Sequence, residues 1–188
     1  MALTATVFNF DIDLTDTDRG CYETLALRVA QHPSESDEYL IARVLAYCLE
    51  YAEGIAFSSG VSSPDDPTLS VRDLTGTILL WVEIGLPDPA RLHKASKAAQ
   101  RVAIYTHKDP GQWLRQIAGE RIHRAEAIGL FEFDRTFVAA LVSRLTRRMA
   151  LSLSIADGHI LIAIGDDVVE SDITRRALMQ GEIGRAHV

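Results

Sequence analysis

The sequence predicts a mixed α/β fold, and three observations carry that prediction. Two stretches near the N-terminus alternate strictly between apolar and polar residues. An unbroken apolar run, Ile78 to Ile84, lies in the middle of the chain. Helical periodicity follows both the alternating pair and that run. Period-2 alternation marks a half-buried strand, a short apolar run a strand covered on both faces, and 3.6-residue spacing a helix.

In the first strand, Phe8, Phe10, Ile12 and Leu14 face inward, while Asn9, Asp11 and Asp13 face solvent. A polar turn, Asp16 to Gly20, leads to a second strand in which Leu25, Leu27 and Val29 point inward, so the two pair as a hairpin. Next comes a helix with Ser34 as N-cap and Asp37 at the capping-box position. Its inner face holds Ile41, Val44, Leu45, Cys48, Leu49 and Ala52, and Gly54 is its expected stop.

Ser58 to Pro67 is a loop rich in Ser, Gly, Pro and Asp. Thr68 to Arg72 reads as a short strand, turning near Gly76 into Ile78–Ile84. Asp88 as N-cap and Pro89 at the first helical position open a helix to about Gln100, with small Ala95 and Ala99 on its inner side. Val102 to Tyr105 is the following strand, so the unit predicts a right-handed parallel crossover. Further on, the pattern predicts a helix over Gln112–Ala127, a strand over Leu130–Phe133, a helix over Phe137–Leu145 and a hairpin of Leu151–Ile155 with Ile160–Ile164 around Asp157-Gly158. The tail after Arg176 is expected to be mobile.

Composition narrows the function classes. The chain has 188 residues, 47% of them hydrophobic and 24% charged, and fits one domain spanning its whole length. No apolar run approaches the ~20 residues of a membrane span. No basic region followed by an apolar block opens the chain, and Cys21 and Cys48 are too few for a disulfide framework, so a cytoplasmic location is expected. The net charge of −7 argues against coating of nucleic acid by bulk attraction. Charge is unevenly spread, however. From Arg91 to Arg124 eight basic residues face two acids, which points to local contact with an anionic ligand such as nucleic acid.

Glu83 breaks the pattern of its strand. A carboxylate in an apolar run needs an ion pair, a hydrogen bond or a metal. If the turn near Gly76 joins antiparallel strands, Glu83 lies opposite Thr68, with Asp65 and Asp66 beside it. Asp73 then lies about 17 Å away at ~3.3 Å per residue and belongs to the turn. The chain reverses through Gly85 to Pro89, so Lys94 or Lys97 on the next helix can reach back over the strand end. Two carboxylates and a lysine suit phosphodiester chemistry. Mg²⁺ or Mn²⁺ on two such carboxylates would polarise a phosphoryl oxygen, and a lysine would stabilise developing charge.

The segments HPSESDE (His32–Glu38), LLWVEIGLPDPARLHKAS (Leu79–Ser96) and VAIYTH (Val102–His107) resemble the YaeQ family. That family is similar in fold to the PD-(D/E)XK nucleases. The resemblance implies a restriction-endonuclease-like core with added N- and C-terminal β-hairpins, and Asp66, Glu83 and Lys94 in the acid, acid and lysine roles. One departure stands out: Glu83-Ile84-Gly85 has glycine where an ExK motif has lysine. Two functions follow as alternatives, a Mg²⁺-dependent phosphodiesterase or nuclease, and a catalytically silent relative serving as a binding or regulatory module.

Overall fold

The computed structural model describes residues 4–58 and 65–178. Its ten strands join in one sheet. The elements run β1 (Thr6–Asp16), β2 (Cys21–Gln31), α1 (Asp37–Leu49), β3 (Ala56–Phe57), β4 (Leu69–Arg72), β5 (Ile78–Ile84), α2 (Pro89–Ala98) and β6 (Ala99–Thr106). They continue as α3 (Gly111–Ile117), β7 (Gly129–Phe133), α4 (Arg135–Val142), β8 (Arg148–Ala156), β9 (His159–Ile164) and β10 (Asp167–Ala177). Spatial order in the sheet is β2-β1-β8-β9-β10-β7-β6-β5-β4-β3. The fold is therefore mixed α/β, and the two hairpins expected at the chain ends are part of the same sheet as the central strands.

Alternation builds the first hairpin as expected. β1 and β2 pair antiparallel over their full length, from Thr6 with Gln31 to Asp16 with Cys21. β1 also pairs in parallel with β8, which fixes the N-terminal hairpin to the C-terminal one. The joint to the central strands is β10: Asp167–Asp172 pairs with β9, and Ile173–Ala177 pairs with β7.

Two cores result. Phe10, Ile12, Leu153, Ile160 and Ile162 pack with α1, α4 and one face of the central strands, including Leu80, Val82 and Ala103. Trp81, Leu92, Ala95, Ile104, Trp113 and Leu130 form the second core on the opposite face. Covered on both sides, β5 needs apolar residues at nearly every position. α1 is enclosed on almost all sides: Leu40, Ala42, Ala46 and Cys48 are fully inaccessible. The β1–β2 turn caps its end, because Arg19 donates to the carbonyls of Cys48 and Tyr51 while held by Asp16. Burial pushes the Cys48 thiol up to about 12, so it packs as an inert small apolar group.

Four expectations change. The first helix is capped by Ser36, which accepts from the Tyr39 N–H, and Ser34 lies before it. That helix ends at Leu49 rather than near Gly54, with Glu50 as its C-cap. The helix expected over Gln112–Ala127 stops at Ile117; beyond it Ile122, Ala125 and Ile128 are buried from turns that include a short 3-10 helix, Ala125–Ala127, before which Arg124 adopts a left-handed φ of 49°. Burial at roughly three-residue spacing imitates α-helical periodicity there without an α-helix. The sequence pattern also hid β10, since alternating charges leave it mostly exposed. β10 carries the chain to Ala177 as a paired strand, and the later part of the tail expected to be mobile lies outside the described residues.

Among the described residues no helix is long and apolar enough to cross a membrane. Where β9 starts opposite β10, both ring nitrogens of His159 meet carboxylates, Nδ1 with Asp172 at 2.7 Å and Nε2 with Glu170 at 3.1 Å. Only the imidazolium can donate to both, so these acids raise the His159 pKa above its ordinary 6.5. A raised folded-state value favours the fold fully below the ordinary value, and the contribution is lost as pH rises through the raised one. An NMR titration should find the His159 midpoint above 6.5, and Asp172→Asn should bring it down. An unshifted midpoint would show that these contacts do not form in solution.

Candidate functional site

Glu83 sits near the end of β5, on the face that looks toward α2, and is 4% exposed. Its Oε1 accepts two hydrogen bonds, from Trp81 Nε1 at 2.6 Å and from Arg91 Nε at 2.8 Å. The Arg91 guanidinium lies 5.8 Å from the centre of the Trp81 ring. Arg91 Nη2 also donates to the main-chain carbonyl of Asp66 at 2.7 Å. A buried carboxylate is thus neutralised and hydrogen-bonded by one arginine and one indole, as the low-dielectric interior demands.

Local chemistry brings Arg91 to that position. Gly85 has a φ of +93°, available at little cost to glycine, and turns the chain out of β5. Asp88 then caps α2 by accepting from the Arg91 N–H at 2.8 Å, with Pro89 in the first turn. A lysine at position 85 would be strained, so the turn that aims α2 at Glu83 excludes the ExK spacing.

The expected register holds. β4 pairs Leu69 with Val82, so the next step sets Thr68 beside Glu83. Asp73 stays in the turn, accepting from Thr75 and Thr77. Arg91 ties the Asp66 backbone to the Glu83 carboxylate at one corner. Lys94 reaches the same corner, where its ammonium pairs with exposed Asp65 and holds that carboxyl below its ordinary range.

The corner opens on a cleft of about 770 Å³. Asp66, Thr68 and Arg91 line one side. Arg28 and Ala30 of β2, Tyr39 and Arg43 of α1, Phe57 of β3 and Lys108 after β6 line the rest. Arg43 is 7% exposed. Its guanidinium carbon lies 5.7 Å from the ring centres of both Tyr39 and Phe57, and Nη2 donates to Glu35 at 2.7 Å and to the Ala30 carbonyl at 2.9 Å. Burial raises the Tyr39 phenol above its ordinary 10 against the opposing hydrogen bond with Thr68. Among the described residues no group of three or more His, Cys, Asp or Glu is arranged to hold a metal ion.

Sequence reasoning singled out Glu83 for the right reason, its burial, and counted Arg91 only within the basic segment. Arg28, Arg43 and Tyr39 carried no signal as a site; an arginine on an otherwise apolar helix was the one hint. Of that basic segment, Arg91, Lys94 and Arg101 are ion-paired, Arg101 with buried Glu50, which also accepts from Tyr105 Oη at 2.7 Å.

Residues 1–173 match the family model described as YaeQ protein. The chain belongs to the YaeQ family. It is similar to the "Uncharacterized protein YaeQ" of Escherichia coli (strain K12), 32% identical over 177 residues that cover 93% of this chain and 97% of the relative. The Salmonella typhi YaeQ is 31% identical with the same coverage. The crystal structure of YaeQ from Xanthomonas axonopodis pv. citri superposes with a TM-score of 0.84 at 32% identity, covering 92% of this chain and 98% of that one. YaeQ from Pseudomonas syringae gives 0.81 at 27% identity, covering 91% and 95%. The likeness thus extends over about nine-tenths of the chain.

Removing Glu83 strands Arg91 beside Trp81. Glu83→Ala should cost about 2–3 kcal/mol in urea unfolding, toward the low end for a broken buried pair because Arg91 keeps some contact with water. Lys94→Ala removes an exposed pair and should leave the unfolding midpoint unchanged. Equal losses in the two variants would contradict the assignment of Glu83 to Arg91.

Proposed function

We propose that this YaeQ-family protein binds the phosphodiester backbone of a nucleic acid along the cleft and holds it without cutting it. The observation that carries this reading is the engagement of Glu83: both donors converge on Oε1, and the nearest cation is Arg91. Two acids around the cleft are similarly engaged, Glu35 with Arg43 and Asp65 with Lys94, while exposed Asp66 gives Arg91 its main-chain carbonyl. What the cleft offers a ligand is therefore mainly positive charge: Arg28, Arg43, Arg91 and Lys108 line it against Glu35, held by Arg43, and Asp66. Phosphate contacts of this kind give salt-dependent affinity. A cytoplasmic site of action, consistent with free thiols, belongs to the same proposal.

A second reading has its own support. Arg91 binds both the Glu83 carboxylate and the Asp66 main chain, so the exposed Asp66 side chain would need only to turn toward Glu83 to give the acid pair of PD-(D/E)XK nucleases. In that reading Asp66 and Glu83 bind Mg²⁺ or Mn²⁺, and Lys94 stabilises charge on the phosphate. It requires Arg91 to leave Glu83 first, and the Gly85 turn removes the usual lysine. These two features put binding ahead of cleavage.

The test uses fluorescein-labelled single-stranded DNA and RNA. At 50 mM salt, anisotropy should show binding that weakens steeply by 200 mM, with the labelled strands intact after incubation in Mg²⁺ or Mn²⁺. Metal-dependent cleavage abolished by Glu83→Gln would establish the second reading instead. Absence of both binding and cleavage would overturn both.

A further inference from the structure

The cleft lies where the sheet fails to close. β2 and β3 are the two ends of the ten-strand order, and both line it. α1 fills the gap between them from within. Arg43 spans it, donating to the Ala30 carbonyl of β2 while its guanidinium lies against Phe57 of β3. The opening is thus a slot with a sheet edge on either side and a buried arginine at its base.

Three cations in this slot have capacity left for a ligand. Arg28 and Lys108 are exposed and form no ion pair among the described residues. Arg43 uses Nη2 for both of its bonds, and its buried Nε is without a partner. Its Nη1 makes no hydrogen bond to a described residue, and Arg43 lines the slot. Packing between Tyr39 and Phe57 fixes the plane of the guanidinium before any ligand arrives, which lowers the entropy lost on binding.

Resting on the nucleic-acid reading above, we infer that the slot accepts an unpaired strand in preference to a duplex, with one backbone phosphate seated on Arg28, Arg43 and Lys108. A cleft of about 770 Å³ falls in the size range of small-molecule pockets, room for a nucleotide or two but not for a double helix. Half-buried Tyr39 and the Thr68 hydroxyl lie on the wall, where a splayed base would meet an aromatic ring and a polar group. A basic groove with aromatic side chains is the general solution for single strands.

The experiment compares a labelled 20-mer as a single strand and as a blunt duplex, by anisotropy at several salt concentrations. The single strand should bind at least tenfold tighter. Arg28→Ala with Lys108→Ala changes two exposed positions and should keep the thermal midpoint. It should weaken single-strand binding about tenfold and reduce the salt slope by roughly 0.7, the value for one phosphate on a single strand. Arg43→Lys keeps the charge and loses the plane; if its melting remains cooperative, it should lose affinity for the single strand by several-fold. Equal affinity for the duplex, or a double variant with unchanged affinity and slope, would overturn the slot assignment while leaving nucleic-acid binding in place. Failure of the unsubstituted protein to bind either form would overturn the underlying reading and the slot together.

Discussion

Arg43 is a charge in the interior, and the architecture around the cleft follows from the need to satisfy it. α1 is wrapped by the sheet, so a side chain at its middle has few routes to water. A buried guanidinium requires an acid, hydrogen-bond acceptors and a polarisable surface. Glu35 supplies the acid, the Ala30 carbonyl an acceptor, and Tyr39 and Phe57 the surface. These partners come from the segment before α1, from both sheet ends and from α1 itself. One desolvated charge thereby ties the unpaired ends of a ten-stranded sheet to a single helix.

Glu83 meets the same constraint from the opposite sign. Its carboxylate is removed from water by β5, which is covered on both faces, and is compensated by Arg91 and Trp81. Each solution uses an arginine that also bonds a main-chain carbonyl, Ala30 in one case and Asp66 in the other. The two arginines line one cleft. Engaging acids in this way leaves a cavity lined by Arg28, Arg43, Arg91 and Lys108 against Glu35 and Asp66, although the whole chain carries −7. Gly85 belongs to the same scheme, because its positive φ sends α2 back over the strand end.

Local pattern was enough wherever an element owes its identity to its own side chains. The bounds of β5 could be read directly from its apolar run, α2 from Asp88-Pro89, and the β1–β2 hairpin from alternation. The neighbourhood of Glu83 and Thr68 followed from a single turn, because antiparallel register is counted outward from it. Pattern failed where burial came from distant partners. Ile122, Ala125 and Ile128 are spaced like an α-helix face, yet they pack with α2 and α3 from turns and one short 3-10 helix. β10 has almost no buried face of its own and exists because β9 and β7 each offer it half an edge.

By itself the sequence determined the strands and helices of the central unit, the anomaly of Glu83 and the glycine that stands where an ExK motif has lysine, since each depends on residues within a few positions of one another. Only tertiary structure decided which cation answers which acid. Lys94 and Arg91 lie one helical turn apart on α2, and both could reach the end of β5. Arg91 lies nearer the start of α2, beside the indole of Trp81, and takes the buried carboxylate; Lys94, one turn farther on, meets exposed Asp65. Desolvation makes that choice, favouring the weakly hydrated guanidinium inside and the strongly hydrated ammonium at the surface. The meeting of Arg28, Arg43 and Lys108 was likewise beyond the sequence, because it requires the sheet to curl until its first and last strands face each other across α1.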